Sequence, residues 1–268
     1  MARVPPVALS IAGSDPSGGA GVQADLKTFS ALGVYGASVI TAITAQNTRA
    51  VTAIHAVPAG VVQAQIEAVL SDLAVGAVKI GMVWQRDVVE IVATELMRWQ
   101  QIRVVLDPVM VASSGAHLLA ADAREALRRL LCPRALIITP NLAEAAALLE
   151  APVARSEEEM QEQGRRLLAL GPKAVLVKGG HGEGPQSVDF LIEPGASTRL
   201  PASRVAARNS HGTGCTLSAA IAAGLANGSN LADAVRSAKA FVTAALAAAD
   251  RLEIGSGSGP VHQFHASW

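Results

Sequence analysis

Short apolar runs recur along the chain, and segments with helical spacing separate most of them. The runs are nearly continuous and rich in Val, Ile and Leu, which is typical of strands covered on both faces. They are VALSIA from Val7, ASVIT from Ala37, AVKIG from Ala77, RVVLD from Arg103, ALIIT from Ala135 and AVLVK from Ala174. This alternation predicts a three-layer α/β/α fold with a mostly parallel central sheet.

Apolar residues at helical spacing indicate the helices between these runs. Val22, Leu26, Phe29 and Leu32 follow one another at helical intervals. Similar patterns fill 86–100, 120–131, 156–170, 213–226 and 231–250.

One segment departs from the alternation of strand and helix. In VDFLIEPGASTRLPASRV, which begins at Val188, two extended runs flank a Pro-Gly pair. This pattern predicts an antiparallel hairpin at the edge of the sheet. The one Gly/Ser-rich tract, GSGSGP at 255–260, lies near the end of the sequence. Because we find neither a dividing linker nor an internal repeat, we predict one domain over residues 1–268.

Composition narrows the classes of partner. Hydrophobic residues make up 50% of the 268 residues and aromatic residues only 3%, which favours helix-on-sheet packing. Basic and acidic residues number 22 each and are interspersed, which argues against nucleic acid or a membrane as partner. No uncharged apolar run approaches the roughly 18 to 20 residues of a membrane span. We therefore expect a cytoplasmic protein with small-molecule partners, and we expect Cys132 and Cys215 to be reduced.

A glycine-rich loop lies in SIAGSDPSGGAGVQADLKTF, residues 10–29. A P-loop needs a lysine and a hydroxyl residue directly after its last glycine, whereas Gly21 is followed by Val and Gln. A dinucleotide-binding loop needs an acidic residue about 20 positions further on. No Asp or Glu lies between Leu26 and Ile66. Both nucleotide-binding interpretations are therefore disfavoured.

The two aspartates of this segment leave two interpretations open. Asp15 and Asp25 would repel a phosphate, but they can accept hydrogen bonds from an uncharged polar ligand. The alternative is structural: Asp15 begins a turn, and Asp25 is a favourable charge near a helix N-terminus.

A better anion site lies downstream, in NSHGTGCTLSAAIAAGLANG from Asn209. A Gly-Thr-Gly loop opens an Ala-rich helix, so backbone N–H groups and the positive end of the helix dipole converge there. Cys215 lies in the first turn, where the dipole favours the thiolate, and it is placed to act on a hydroxyl beside the phosphate. The alternative is a small buried residue that packs the helix on the sheet.

Further charged residues follow the predicted strands. Asp107 ends RVVLD, and Lys178 ends AVLVK. Asn141 and Glu144 follow another strand at a spacing of three, which suits a helix cap. Carboxylates at neighbouring strand ends also suit Mg²⁺ held partly through water, and the lysine suits a polyphosphate.

Several motifs together resemble one family, the bacterial hydroxymethylpyrimidine/phosphomethylpyrimidine kinases of thiamin biosynthesis. The resemblance runs from about Val7 to the C-terminus. The motifs are AGSDPSGGAGVQADLKTFSALGVYG, ITAITAQNT, KIGM, LDPVM, TPNLAEAAALL, VKGGH, NSHGTGCTLSAAIA and GPVHQFHASW.

The resemblance implies a ribokinase-like fold, usually a homodimer, with ATP and Mg²⁺ as co-reactants. It implies phosphorylation of 4-amino-5-hydroxymethyl-2-methylpyrimidine to the monophosphate, and then of the monophosphate to the diphosphate.

The resemblance also implies roles for individual residues. Lys178 and Thr213 would contact the ATP phosphates, and Cys215 would be the catalytic base beside the amides of Gly212 and Gly214. The pyrimidine pocket would be lined by Gly13, Asp25, Gln46, Met82 and Val109. The Mg²⁺ ion and its waters would be ordered by Asp107, Asn141 and Glu144.

Two other functions stay open at this point. A pyridoxal kinase of the same superfamily phosphorylates a related ring alcohol, and a non-catalytic pyrimidine-binding protein would keep the pocket without the transfer. In the C-terminal tail, His262 and His265 suggest a metal site only weakly, and a packed tail is the favoured interpretation.

Overall fold

The computed structural model describes residues 4–110, 121–180 and 184–268. The described residues form one sheet of nine strands in the order β3-β2-β1-β4-β5-β6-β7-β8-β9. The strands are β1 Val7–Ser14, β2 Tyr35–Gln46, β3 Val51–Ala56, β4 Val75–Ile80, β5 Val104–Leu106, β6 Ile137–Ile138, β7 Ala174–Lys178, β8 Gln186–Glu193 and β9 Ala196–Ser203.

The sheet is parallel in its centre and antiparallel at both edges. The strands β2, β1, β4, β5, β6 and β7 run parallel, with Ile11 of β1 opposite both Val39 and Ile80. The strands β8 and β9 form the predicted hairpin around Pro194 and Gly195, with Glu193 opposite Ala196. At the other edge, β3 pairs antiparallel with β2.

Helices connect the strands and cover both faces of the sheet. They are α1 Gly21–Ala31, α2 Ala59–Leu70, α3 Arg86–Arg98, α4 Ala121–Ala126, α5 Leu142–Leu149, α6 Glu157–Leu168, α7 Thr213–Ala226 and α8 Leu231–Ala247. The segment that follows α4 continues as a π-helical turn over Leu127–Leu131 and a 3-10 turn over Cys132–Arg134. Residue 120, the first of the predicted helix 120–131, lies outside the described residues. Among the described residues, no helix combines the length and the apolarity needed to cross a membrane.

Two hydrophobic cores separate the three layers. One core packs α2 to α6 against the sheet through residues such as Ile66 and Leu148, and the other packs α1, α7 and α8 through residues such as Phe29 and Ile221. Small Ala side chains let α7 pack against α1, α8 and the sheet. The Ala-rich, aromatic-poor composition therefore suits the layered packing.

Alternation along the central strands directs polar side chains to one face. Ala77, Val105 and Leu176 belong to the core under α7. Side chains in a strand alternate between the two faces, so residues two positions further along, including Lys79 and Asp107, share the α7 side. This side of the sheet, at the carboxyl ends of the parallel strands, carries the candidate site.

The apolar runs and the helical patterns predicted most of these elements correctly. The edge strand β3 and the helix α2 were not predicted. In β3 three of the six residues are exposed and none is fully buried, so its sequence lacks a continuous apolar run. In α2 the buried positions Val62, Ile66 and Leu70 do follow helical spacing.

Candidate active site

Asp107, just beyond the end of β5, is the centre of a buried polar cluster. Lys178 Nζ donates to Asp107 Oδ1 at 2.8 Å, and Thr139 Oγ1 donates to the same oxygen at 3.0 Å. Ser218 Oγ of α7 lies 3.3 Å from Oδ2. Burial raises the pKa of Asp107, but the charges of Lys178 and Lys79 lower it more, so the carboxylate stays ionised.

Asn141 and Glu144 form the helix cap that their spacing predicts. The Glu144 N–H donates to Asn141 Oδ1 at 2.9 Å, and the Asn141 N–H donates to Glu144 Oε2 at 2.8 Å. Glu144 Oε2 also lies 3.9 Å from Lys178 Nζ. Burial raises the pKa of Glu144 to about 7, although the Lys178 charge acts in the opposite direction.

The arrangement of these groups suits a weakly held, hydrated cation. Asp107 Oδ1 lies 2.8 Å and Glu144 Oε2 3.9 Å from Lys178 Nζ, and the side-chain oxygen of Asn141 is engaged by the helix cap. In the described part of the chain, no group of three or more His, Cys, Asp or Glu side chains forms a metal cage. Mg²⁺ bound by one or two carboxylates, water and substrate phosphate needs no such cage.

The Gly-Thr-Gly loop stands directly over the Asp107 cluster. Gly212, the N-cap residue of α7, has a φ of 79°, and a Cβ on it would lie 1.8 Å from the Gly19 carbonyl oxygen. A Cβ on Gly214 would lie 3.3 Å from Lys178 Nζ and 3.7 Å from Asp107 Oδ2. The hydroxyl of Thr213 donates to the Ser210 carbonyl at 2.6 Å. The two glycine loops are therefore in backbone contact, and the lysine lies beside the first turn of α7.

Cys215, in the first turn of α7, is a thiol rather than the expected thiolate. Burial raises its pKa to about 11, and the Asp25 and Asp107 carboxylates also raise it. Lys79 and a hydrogen bond with the Gly21 backbone lower the pKa, but by less. The prediction from the helix dipole left out the burial of the thiol, which is the largest cause of the raised pKa, so the thiolate prediction was wrong.

Asp25 is buried in the interior and forms an ion pair that the sequence argument missed. Lys79 Nζ donates to Asp25 Oδ2 at 2.8 Å, and Ser10 Oγ donates to the same oxygen at 2.6 Å. Both charged side chains are fully buried. Among the described residues, Asp25 Oδ1 has no hydrogen-bond partner. Asp25 is therefore more than a favourable helix charge. The sequence feature that could have identified Lys79 as a buried charge is its position in the middle of the apolar run AVKIG.

Three of the predicted pyrimidine-pocket residues lie together at the end of β4. Met82 is buried with Ala42, and Val109 packs against this pair. A Cβ on Gly13 would lie 2.8 Å from Met82 Cε, so Gly13 leaves room for the methionine. These residues form a small apolar surface, which suits the face of a ring.

Asp15 has the structural role that the turn interpretation gave it. Its Oδ1 accepts from the Ser17 N–H at 2.9 Å and the Ser17 hydroxyl at 2.7 Å, and its Oδ2 accepts from the Ala20 N–H at 2.8 Å. His211 Nε2 lies 2.8 Å from the same Oδ2. Asp15 thus shapes its own loop and connects it to the Gly-Thr-Gly loop.

Gln46, at the end of β2, also contacts His211. Gln46 Nε2 lies 3.3 Å from His211 Nε2, and Gln46 Oε1 lies 3.3 Å from Thr44 Oγ1. His211 lies inside the motif NSHGTGCTLSAAIA, but the sequence predicted no role for it. The sequence feature that could have identified His211 is its position directly before the Gly-Thr-Gly loop.

The C-terminal tail packs against α7 and α8, as the favoured interpretation predicted. The His262 N–H donates to the Ala245 carbonyl at 3.1 Å, and the His265 ring lies 5.2 Å from the Phe241 ring. Gln263 Nε2 donates to Thr216 Oγ1 at 3.2 Å.

Comparisons with known proteins are consistent with this site. The family model described as phosphomethylpyrimidine kinase matches residues 15–262. A hydroxymethylpyrimidine/phosphomethylpyrimidine kinase of Rhizobium meliloti is 60% identical over 262 residues, which cover 98% of each chain.

Two solved structures are similar to this chain over most of its length. A phosphomethylpyrimidine kinase from Clostridium difficile is 43% identical with a TM-score of 0.78, covering 88% of this chain and 97% of that one. An ADP complex of Bacillus subtilis pyridoxal kinase is 33% identical with a TM-score of 0.90, covering 98% of this chain and 99% of that one.

Proposed function

This chain belongs to the phosphomethylpyrimidine kinase family. From the geometry of its site, we propose which residues bind each reactant and which take part in phosphoryl transfer. The fold is ribokinase-like. The enzyme uses ATP to phosphorylate 4-amino-5-hydroxymethyl-2-methylpyrimidine and then its monophosphate, two steps of thiamin biosynthesis. The observation that carries the assignment of roles is the junction of the two glycine loops at Gly19 and Gly212, beside which Asp25 and Asp107 both act electrostatically on Cys215.

The pyrimidine side of the site is formed by the first glycine loop and its neighbours. Met82 and Val109 supply an apolar surface for the ring, and Gly13 leaves room for that surface. The Gln46 amide can donate and accept together, which suits a ring nitrogen beside an amino group. Asp25 offers the acceptor Oδ1.

The phosphate side is formed by the second glycine loop and by Lys178. The N–H groups at the start of α7, around Gly212 and Gly214, suit the oxygens of the transferred phosphoryl group. Lys178 carries a full charge because Asp107 and Glu144 raise its pKa more than burial lowers it. Together with Thr213, it is positioned for the ATP phosphates.

We assign Asp107 and Glu144 to Mg²⁺, held partly through water, and give Asn141 the indirect role of fixing Glu144. When bound, the ion would neutralise charge on the phosphates. The protein's own contribution is to hold both carboxylates next to Lys178, whose charge offsets part of theirs.

We assign Cys215 to the proton that must leave the substrate hydroxyl. The hydroxymethyl oxygen bonds to the γ-phosphorus, the bond from that phosphorus to the ADP oxygen breaks, and the hydroxyl proton goes to an acceptor. The high pKa of Cys215 leaves two roles, a base once its own proton has left or a hydrogen-bond partner of the hydroxyl. Comparison of Cys215→Ser with Cys215→Ala separates them, because serine retains only the second role.

ADP release measured side by side with four acceptors tests the function. Hydroxymethylpyrimidine and its monophosphate should be the best acceptors, and pyridoxal and ribose should be poor. Pyridoxal is the second candidate, because the chain resembles a pyridoxal kinase with a TM-score of 0.90. A preference for ribose would refute the proposal, and a failure to consume ATP with any pyrimidine alcohol would support a binding protein instead. A homodimer, a single domain and a cytoplasmic location remain parts of this proposal.

A further inference from the structure

A chain of polar contacts connects Gln46 to the first glycine loop through His211. Nε2 of His211 lies 2.8 Å from Asp15 Oδ2 and 3.3 Å from Gln46 Nε2. Asp15 and His211 are buried, while Gln46 is partly exposed. One ring nitrogen therefore contacts both a carboxylate and a partly exposed amide.

The proton on this nitrogen can be assigned from the chemistry of Asp15. The pKa of Asp15 is lowered, because its hydrogen bonds with His211 and Ser17 outweigh the effect of burial. An ionised carboxylate only accepts hydrogen bonds, so Nε2 of His211 is the donor. A donor nitrogen repels the NH₂ group of Gln46 and attracts its oxygen.

The contact with Thr44, at the other end of the Gln46 amide, indicates the same orientation of that amide. Its one hydroxyl proton goes to the Ser14 carbonyl at 2.8 Å, so the hydroxyl can only accept from Gln46. A half-turn of the amide lets its NH₂ group donate to Thr44 and turns its oxygen toward the His211 N–H that Asp15 already accepts, so that two N–H groups no longer face each other.

The backbone of His211 is fixed by the C-terminal strap, residues 255–261. The His211 N–H donates to the Gly259 carbonyl at 3.0 Å, and the Val261 N–H donates to the His211 carbonyl at 3.1 Å. Further along the strap, the Gly257 N–H donates to Thr48 Oγ1 at 3.1 Å, in the turn that follows Gln46.

The strap has no room for side chains at its alternate glycines. A Cβ on Gly257 would lie 2.0 Å from the Thr48 carbonyl oxygen, and a Cβ on Gly259 would lie 2.5 Å from Asn209 Oδ1. The glycine-rich tract is therefore closely packed, and it holds the Gln46 turn and His211 in a fixed relation.

We propose that Asp15 and His211 are positioning residues that fix the orientation of the Gln46 amide, and that they thereby select aminopyrimidine alcohols over oxopyrimidine alcohols. A glutamine amide that turns freely can pair with either ring, because a half-turn exchanges its donor and acceptor. An aminopyrimidine presents an amino donor beside a ring acceptor, whereas the oxo analogue presents the reverse pattern. An amide fixed in one orientation pairs with the aminopyrimidine but not with the oxo analogue. This inference rests on the proposed function, since it assumes that Gln46 faces the ring.

The test compares two acceptors in three forms of the full-length enzyme. The acceptors are the 4-amino-5-hydroxymethylpyrimidine and its 4-oxo analogue, and the forms are wild type, His211→Leu and His211→Gln. We expect His211→Leu to lower the amino-over-oxo ratio of kcat/KM by about tenfold or more, because the amide is then free to turn. The KM for ATP should change by less than about threefold. His211→Gln retains an N–H donor and should recover most of the preference.

A second pair of variants tests the strap without touching His211. Gly257→Ala should raise the KM for the aminopyrimidine, since the new Cβ displaces Thr48. The matched control is Gly60→Ala, where a Cβ meets no atom within 4 Å among the described residues. An unchanged amino-over-oxo ratio in His211→Leu refutes the inference, as does a loss of kcat with both acceptors in parallel. If the wild type phosphorylates neither acceptor, the proposed function fails instead.

Discussion

The ammonium of Lys79 lies 2.8 Å from the Asp25 carboxylate, and neither side chain has any access to solvent. The two charged residues belong to different elements, Lys79 to the carboxyl end of β4 and Asp25 to the first turns of α1. Burial raises the pKa of Asp25 despite Lys79, and the carboxylate also affects Cys215. Because the pair joins the central sheet to the proposed pyrimidine loop, it is expected to matter for both folding and catalysis.

Lys79→Met should destabilise the enzyme strongly. It leaves Asp25 buried without its counter-charge, and breaking a buried pair in this way costs about 3–5 kcal/mol. The double variant Asp25→Asn with Lys79→Met replaces the pair by neutral groups of similar size and should be more stable than Lys79→Met. The free energy of unfolding in urea measures both variants. Equal stability of Lys79→Met and the wild type would show that the pair is not held as described.

Glu144 should make stability depend on pH in a defined window. Its folded pKa of about 7 lies above its ordinary value of 4.5, so the folded state binds the proton more tightly than the unfolded state. The stabilising contribution is complete below about pH 4.5 and is lost as the pH rises through about 7. Glu144→Gln retains an oxygen that can accept the capping hydrogen bond, but its side chain does not ionise.

Urea midpoints at pH 5 and pH 8, in buffer without divalent cations, measure the effect. The wild type should lose stability relative to Glu144→Gln between the two pH values. Glu162→Gln is the control, because this carboxylate is largely exposed and should show no such difference. A wild type that gains stability relative to Glu144→Gln would contradict the raised pKa.

The apolar runs predicted the central parallel strands because burial on both faces demands a continuous apolar sequence. They also located Asp107 and Lys178, since a polar residue that ends such a run stands at the edge of the sheet. The pairing of Lys178 with Asp107 and Glu144 depends on the neighbour relation of β5, β6 and β7, which spacing alone does not contain.

Lys79, His211 and the ionisation of Cys215 required the three-dimensional structure. Lys79 interrupts an apolar run, but its partner Asp25 lies far away in the sequence. The contact of His211 with Asp15 joins residues at opposite ends of the chain. The pKa of Cys215 depends first on its burial and then on charged groups from other segments, so a local helix argument predicted the wrong direction.

Cys215 should react slowly with iodoacetamide at neutral pH. A thiol with a pKa of about 11 is almost entirely protonated there, and the thiolate is the nucleophile. The alkylation rate should rise continuously from pH 7 to about pH 10, and peptide mass spectrometry assigns the modified residue. Cys132 is the internal control, because it is fully buried and burial raises its pKa to about 12. An alkylation rate that does not increase with pH above pH 7 would show that Cys215 is already a thiolate at neutral pH.

Loss of the sulfur should abolish turnover without abolishing binding. Cys215→Ala removes the proposed proton acceptor and should lower kcat by more than about tenfold. Binding of the pyrimidine, measured by calorimetry, should persist, because the proposed ring contacts are made by Met82, Val109 and Gln46, which the substitution leaves in place. Turnover within about tenfold of wild type would remove Cys215 from the mechanism.

The two glycines of the phosphate loop should respond differently to alanine. Gly212→Ala places a Cβ 1.8 Å from the Gly19 carbonyl oxygen at a φ of 79°, so both the loop junction and the backbone conformation are strained. Gly214→Ala meets Lys178 Nζ at 3.3 Å, and a lysine end can move by a few tenths of an ångström. We therefore expect Gly212→Ala to lose stability as well as activity, whereas Gly214→Ala should stay folded with a raised KM for ATP. Thermal unfolding and steady-state kinetics separate the two. A Gly212→Ala enzyme with wild-type stability and KM values would show that the two loops do not meet at Gly19.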